Sequence, residues 1–134
     1  QKDIVQTKIP IQDIQIIIAE DDMYNQILLV EFLTIFGIPK SNIDVAMNGK
    51  ECLEKIQNKH YDTCFMDIKM PEMDGFEATQ KIREINKDII IIAVSASVIE
   101  KEYNQCYQIG MNYFIEKPIE KQILYNLLKN IVDK

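Results

Sequence analysis

Glycine and proline are scarce, at 4 residues each in a chain of 134, while 47% of residues are hydrophobic and 27% are charged. That balance excludes collagen-like, low-complexity and disordered classes. Cysteine is scarcer still. Cys52, Cys64 and Cys106 are odd in number and form no C-x-x-C, so neither a disulfide framework nor a zinc site is expected. Arginine occurs once, at Arg83, and 15 basic against 21 acidic residues leave a net charge of −6. A chain so poor in cations makes a weak nucleic-acid binder, because affinity there comes mainly from neutralising phosphates. Apolar runs of membrane-spanning length are missing too. The longest candidate, Ile27 to Ile38, is interrupted by Glu31 and Thr34. No apolar region follows Gln1, Lys2 and Asp3, so no signal peptide is expected, and the lack of an opening Met reads as a segment of a longer protein. The expected setting is reducing and cytoplasmic, with no membrane contact by this domain, although a parent chain anchored in a membrane is compatible with it.

What is present suits one domain. Residues 1–13 are polar, broken by Pro10, and lack a sustained period; they read as a linker or tail, leaving 14–134 as the folded unit. From there two kinds of segment alternate. Short β-branched or aromatic runs occur at 14–19, 43–47, 63–66, 89–94 and 113–115, and stretches with helical spacing follow them. Ile123/Leu124, Leu127/Leu128 and Ile131/Val132 recur every four residues and predict one long apolar stripe on the last helix. Ile99, Tyr103 and Cys106 predict another before it, as do Ala78, Ile82 and Ile85. Leu53 and Ile56 suggest a short helix after Asn48-Gly49. The helix starting near Met23 is apolar almost throughout and should stop at Gly37, with Pro39 behind it. Five strands alternating with five helices argue for a parallel sheet covered on both faces, with the Ile89–Ile92 run as a strand buried on both sides.

Open parallel sheets place their ligands beyond the carboxyl ends of the strands. Those ends carry Glu20-Asp21-Asp22 after the first strand, Asp67 after the third, Ser95 on the fourth, and Glu116-Lys117-Pro118 on the fifth. Bringing Glu20, Asp21 and Asp67 together is costly, since two unit charges 4 Å apart repel by about 4 kcal/mol at an effective dielectric of 20. A proton, Lys117 or a hard cation must offset them. Oxygen donors without His or Cys favour Mg²⁺.

With these residues assembled, the chain resembles the receiver domains of two-component response regulators, most closely those attached to hybrid histidine kinases. The resemblance is carried by Ile-Ile-Ile-Ala-Glu-Asp-Asp at 16–22 with Asn25-Gln26, by the run from Phe65 through Asp67 and Asp74-Gly75 to Thr79, by Val-Ser-Ala at 94–96, and by Glu-Lys-Pro-Ile at 116–119. It spans roughly 14–132 and implies a flavodoxin-like, doubly wound α/β fold with strand order 2-1-3-4-5. It also implies roles. Asp67 would accept a phosphoryl group from a phosphohistidine. Asp21 and Asp67 would ligate Mg²⁺ directly, Glu20 through water, and Lys69 through its backbone carbonyl. Lys117 would pair with Asp67 and then with the phosphoryl oxygens, Ser95 would bond the arriving group, and Ser95 and Phe114 would form a switch. The Lys117–Pro118 bond would be cis. Implied partners are a histidine kinase dimerisation and phosphotransfer domain or a histidine phosphotransfer protein, with a second copy of the chain as a further candidate. Rather than a turnover enzyme, such a domain assists its own phosphorylation and dephosphorylation, while its parent chain would carry kinase activity. Ser95 stands where threonine is more frequent. Phe114 lacks the hydroxyl of the tyrosine often found there, and Lys69 sits where such domains tune loss of the phosphoryl group.

Simpler readings stand beside these. Asp22, just before a helix, reads as an N-cap rather than a third ligand. His60 reads as a solvated loop residue, Cys64 and Met66 as core, and Glu100-Lys101-Glu102 as a solvated helix face. The apolar excess of the first helix exceeds one buried stripe and suggests an interface. Two other functions fit the fold: a binding module that signals without phosphorylation, and an aspartate-nucleophile phosphatase. The second is opposed by Lys69, which stands where haloacid-dehalogenase-type enzymes carry a second Asp.

Overall fold

The computed structural model describes residues 9–96 and 100–133, the side chains of residues 100, 101 and 133 excepted. Strands β1 (Ile16–Ala19), β2 (Ile43–Ala46), β3 (Thr63–Asp67), β4 (Ile90–Ser95) and β5 (Tyr113–Glu116) form one parallel sheet in the order 2-1-3-4-5. Helices α1 (Met23–Ile35), α2 (Gly49–Asn58), α3 (Gly75–Ile85), α4 (Glu100–Gln108) and α5 (Lys121–Leu128) follow the strands in turn. None of the described helices is long and apolar enough to cross a membrane.

The two-residue period of a strand sends successive side chains to opposite faces, and both faces here are apolar. Ile17, Ala19, Cys64, Met66, Ile91 and Ala93 pack with Cys52 of α2, Ala78 and Ile82 of α3, and Cys106 of α4. Ile16, Ile18, Phe65, Ile92 and Val94 pack on the other side with Leu29 and Leu33 of α1 and Leu124 and Leu128 of α5. This two-sided burial is why β1, β3 and β4 read as continuous apolar runs, Cys64 and Met66 included. Helix starts follow the capping chemistry: Asp22, Asn48 and Asp74 each accept a bond from the backbone N–H three residues on. Helix α1 ends before Gly37, whose φ of 111° suits a residue without Cβ, and whose N–H donates to the Thr34 carbonyl.

The last helix is shorter than its periodicity predicts. It ends at Leu128; the N–H groups of Asn130 and Ile131 donate to the carbonyls of Leu127 and Leu128, three residues back, and tighten the chain into a turn. Val132 and Asp133 then run extended and pair in parallel with Ile9 and Pro10. Ile131 and Val132 are buried as the stripe implies, but through this two-stranded ladder rather than on a helix face. Ile85 and Ile123 are exposed, because each stripe is narrower than its sequence spacing suggests. Of the stripe expected on α4, Cys106 is buried and Tyr103 is exposed, and Ile99 lies outside the described residues.

Candidate functional site

The carboxyl ends of β1, β3, β4 and β5 meet at one edge of the sheet. The β1–β3 register leaves Glu20 and Asp67 adjacent just past the last paired residues, and Glu20 is held there by its N–H on the Ala46 carbonyl. Gln26 on the first turn of α1 donates to the Glu20 carbonyl over 2.6 Å. On the β5 side, the Lys117 N–H donates to the Ser95 carbonyl, and the Lys117–Pro118 peptide is cis. Ser95 is buried beside Asp67 on the neighbouring strand.

These residues line a cavity of about 230 Å³, walled by Glu20, Asp21, Asp22, Asp67, Lys69, Ser95, Ala96 and Lys117. Glu20 and Asp67 are buried and Asp21 is exposed at the mouth; each offers a carboxylate oxygen within 4.8 Å of the others. The Lys117 ammonium lies 3.1 Å from Glu20 Oε1 and 3.2 Å from Asp67 Oδ2. Two backbone donors assist: Asp22 N–H to Glu20 Oε2 at 3.1 Å, and Lys69 N–H to Asp67 Oδ1 at 3.3 Å.

Lys117 pairs with two of the three clustered carboxylates, which leaves the cluster short of positive charge, and burial sharpens the deficit. Desolvation, with the Asp67 charge next in weight, pushes the Glu20 carboxyl up to about 7. Desolvation also raises Asp67, although Lys117 opposes it. Burial alone would pull the Lys117 ammonium down, but the charges of Asp67 and Glu20 outweigh it and hold it above the ordinary lysine value. A divalent cation on oxygen donors would satisfy the same electrostatic demand. The donor set fits a hard cation such as Mg²⁺, being carboxylate throughout, with no thiol or imidazole among the residues lining the cavity.

Of the residues singled out from sequence, Glu20, Asp21, Asp67, Ser95, Lys69 and Lys117 all line this one cavity. Phe114 does not. It is partly buried against the core beneath α4, its ring centroid 5.5 Å from that of Tyr103. Asp22 caps α1, and His60 is exposed in its loop, with Nε2 2.8 Å from Asp62 Oδ1. Glu102 departs from the solvated face expected for it: it is partly buried, pairs with Lys69 at 3.5 Å, and has its Oε1 sealed from solvent. Nothing in the sequence separates it from its charged neighbours, because the pairing joins α4 to a loop more than thirty positions away. Arg83 is likewise committed internally. Its guanidinium donates twice to the Gly110 carbonyl and once to Asn112 Oδ1, tying α3 to the α4–β5 turn.

Residues 16–129 match the family model described as the response regulator receiver domain. Among curated proteins, hybrid signal transduction histidine kinase K of Dictyostelium discoideum is 33% identical over 129 residues, covering 90% of this chain and 10% of the kinase. Sensor protein EvgS of Escherichia coli is 33% identical over 120 residues, again 90% of this chain and 10% of the relative. The chain thus spans about a tenth of the length of these relatives. Among solved structures, a two-component response regulator from Clostridium difficile superposes with a TM-score of 0.82 at 28% identity, covering 89% of this chain and 95% of that one. The receiver domain of a Pseudomonas aeruginosa sensor histidine kinase superposes with a TM-score of 0.77 at 27% identity, covering 87% and 95%, and that structure has a magnesium ion coordinated in its active-site cleft.

Proposed function

The chain belongs to the response regulator receiver domain family, and from that premise we propose that Asp67 accepts a phosphoryl group from a phosphohistidine in a two-component phosphorelay. The observation carrying this reading is the clustering of Glu20, Asp21 and Asp67 at one edge of the sheet, with the Lys117 ammonium on Glu20 and Asp67. In the transfer, an Asp67 carboxylate oxygen bonds to phosphorus as the bond from phosphorus to the imidazole nitrogen breaks, and the imidazole keeps the electron pair. Phosphoryl transfer asks a protein mainly for positioning and charge stabilisation.

Asp67 Oδ2 already rests on Lys117 at 3.2 Å, so this ammonium is at hand to follow the negative charge onto the phosphoryl oxygens. The Ser95 hydroxyl sits on the adjacent strand at the cavity wall and donates to the new group. Mg²⁺ would be held by Asp21 and Asp67 directly, by Glu20 through water and by the Lys69 carbonyl; when bound, it supplies the positive charge that the cavity lacks. Movement of Ser95 toward the phosphoryl group would free space for Phe114, which touches Tyr103 of α4 and so links the site to an outer surface.

The similarity to hybrid histidine kinases supports a histidine-bearing phosphotransfer domain as partner and a cytoplasmic setting. Intact-mass spectra after incubation with acetyl phosphate and MgCl₂ test the proposal. One phosphoryl adduct is expected, absent in Asp67→Asn and absent when the divalent ion is chelated. A wild-type chain that never gains an adduct refutes it.

A further inference from the structure

Lys69 faces two ways. Its backbone N–H donates to Asp67 Oδ1, which fixes its main chain at the acceptor, and the residue borders both the acidic cavity and a wider groove of about 500 Å³ that Glu102 also lines. Its ammonium therefore has two destinations within reach of one flexible stem: the carboxylates of the cavity, or Glu102 on α4. It takes the second, at 3.5 Å from Glu102 Oε2. Glu102 is suited to keep it. Its Oε1 is sealed from solvent and has no hydrogen-bond donor among the described residues, and its side chain is 20% exposed against 68% for Lys69. A carboxylate that has lost part of its hydration gives up a counter-charge less readily than a fully solvated one.

We propose that Glu102 is a positioning residue that withholds the Lys69 ammonium from the acceptor cavity and thereby lowers the affinity of that cavity for a phosphoryl-like anion on Asp67. The inference rests on Asp67 being the acceptor. An anionic group there adds a third claimant for the Lys69 ammonium, and the Glu102 carboxylate competes with it through an ion pair on a separate helix. Removing the Glu102 charge releases the ammonium to the anion. An ion pair of this exposure is worth up to about 1 kcal/mol, which is roughly a fivefold change in affinity.

The test is an NMR titration of the whole chain with beryllofluoride in excess MgCl₂, following amide signals around Asp67, for wild type, Glu102→Gln, Lys69→Gln and the double variant. Glu102→Gln should bind about two- to fivefold more tightly than wild type, with the gain shrinking at high salt. In the Lys69→Gln background the same Glu102→Gln change should bring no gain, because no ammonium is left to release. Unchanged affinity in Glu102→Gln overturns the proposal. So does a gain of equal size in the Lys69→Gln background, which would mean that lowering the net negative charge is enough. Glu102→Ala replaces Glu102→Gln if the latter fails to fold. A wild-type chain that gives no magnesium-dependent response removes the acceptor reading itself, and the Glu102 proposal with it; a wild-type response without the Glu102 effect removes only the latter.

Discussion

Glu20 is a carboxylate held where a carboxylate is poorly tolerated. Unfolded, it loses its proton near 4.5; in the fold, burial and the neighbouring Asp67 raise it to about 7. Between those values the folded state holds more protons than the unfolded one, so stability falls as pH rises through that window and levels off above it. Asp67 is raised too and acts in the same direction. The raised Lys117 contributes a gain that is fully present below the ordinary lysine value, so it is constant across this range. Urea unfolding of the metal-free protein should show a loss of at most about 3 kcal/mol between pH 5 and pH 8, flattened in Glu20→Gln. Lys117→Met strands two buried carboxylates without their ammonium. It should cost about 3 kcal/mol at pH 8, and distinctly less at pH 5, where Glu20 can take up a proton. A pH-independent cost in that variant would mean that Lys117 acts by packing alone.

At the scale of elements, the start of α3 is built against the acceptor. A Cβ on Gly75 would come within 2.5 Å of the Asp67 carbonyl oxygen and 2.8 Å of Ile68 Cα, both backbone atoms with little room to move. Gly75→Ala should therefore cost roughly 1–3 kcal/mol and displace Asp67, weakening magnesium binding measured by the same amide shifts. Normal binding in a folded Gly75→Ala would show that the β3–α3 junction is more yielding than its contacts imply. Helix α1 shows a different logic. Leu29 and Leu33 are buried and Val30 and Phe32 pack partly against the same core, but Met23, Tyr24, Ile27 and Ile35 are exposed, so part of its apolar excess lies on the surface. Strand and helix types were readable because a period of two or of about four is a local property of the chain. The end of α5 was not. Ile131 and Val132 continue the helical spacing, but Val132 gains a pairing partner in Ile9 that lies at the other end of the sequence.

Across the whole molecule, that pairing closes the domain. Ile9 and Ile11 pack on the core face shared by α1 and α5, and the Ile9 N–H donates to the Ile131 carbonyl at 3.4 Å. The polar segment expected to be a tail thus carries, from Ile9 onward, contacts that cover Ile131 and Val132. Deleting residues 1–13 should lower stability by about 2 kcal/mol through the apolar area re-exposed, with denaturation midpoints as the readout. An unchanged midpoint would mean that the ladder forms without stabilising the fold.

By itself the sequence determined the alternation of strands and helices, the two apolar faces of the sheet, and the set of acids, hydroxyl and lysine at the strand ends. Each of these depends on residues close together in the chain or on the rule that parallel strands all point the same way. Only the tertiary structure decided which carboxylates the Lys117 ammonium touches, where Lys69 directs its charge, what Arg83 holds together, and how the two ends of the domain meet. Those contacts join residues tens of positions apart. Their partners are chosen by geometry and by the cost of burying charge, and neither leaves a periodic trace along the chain.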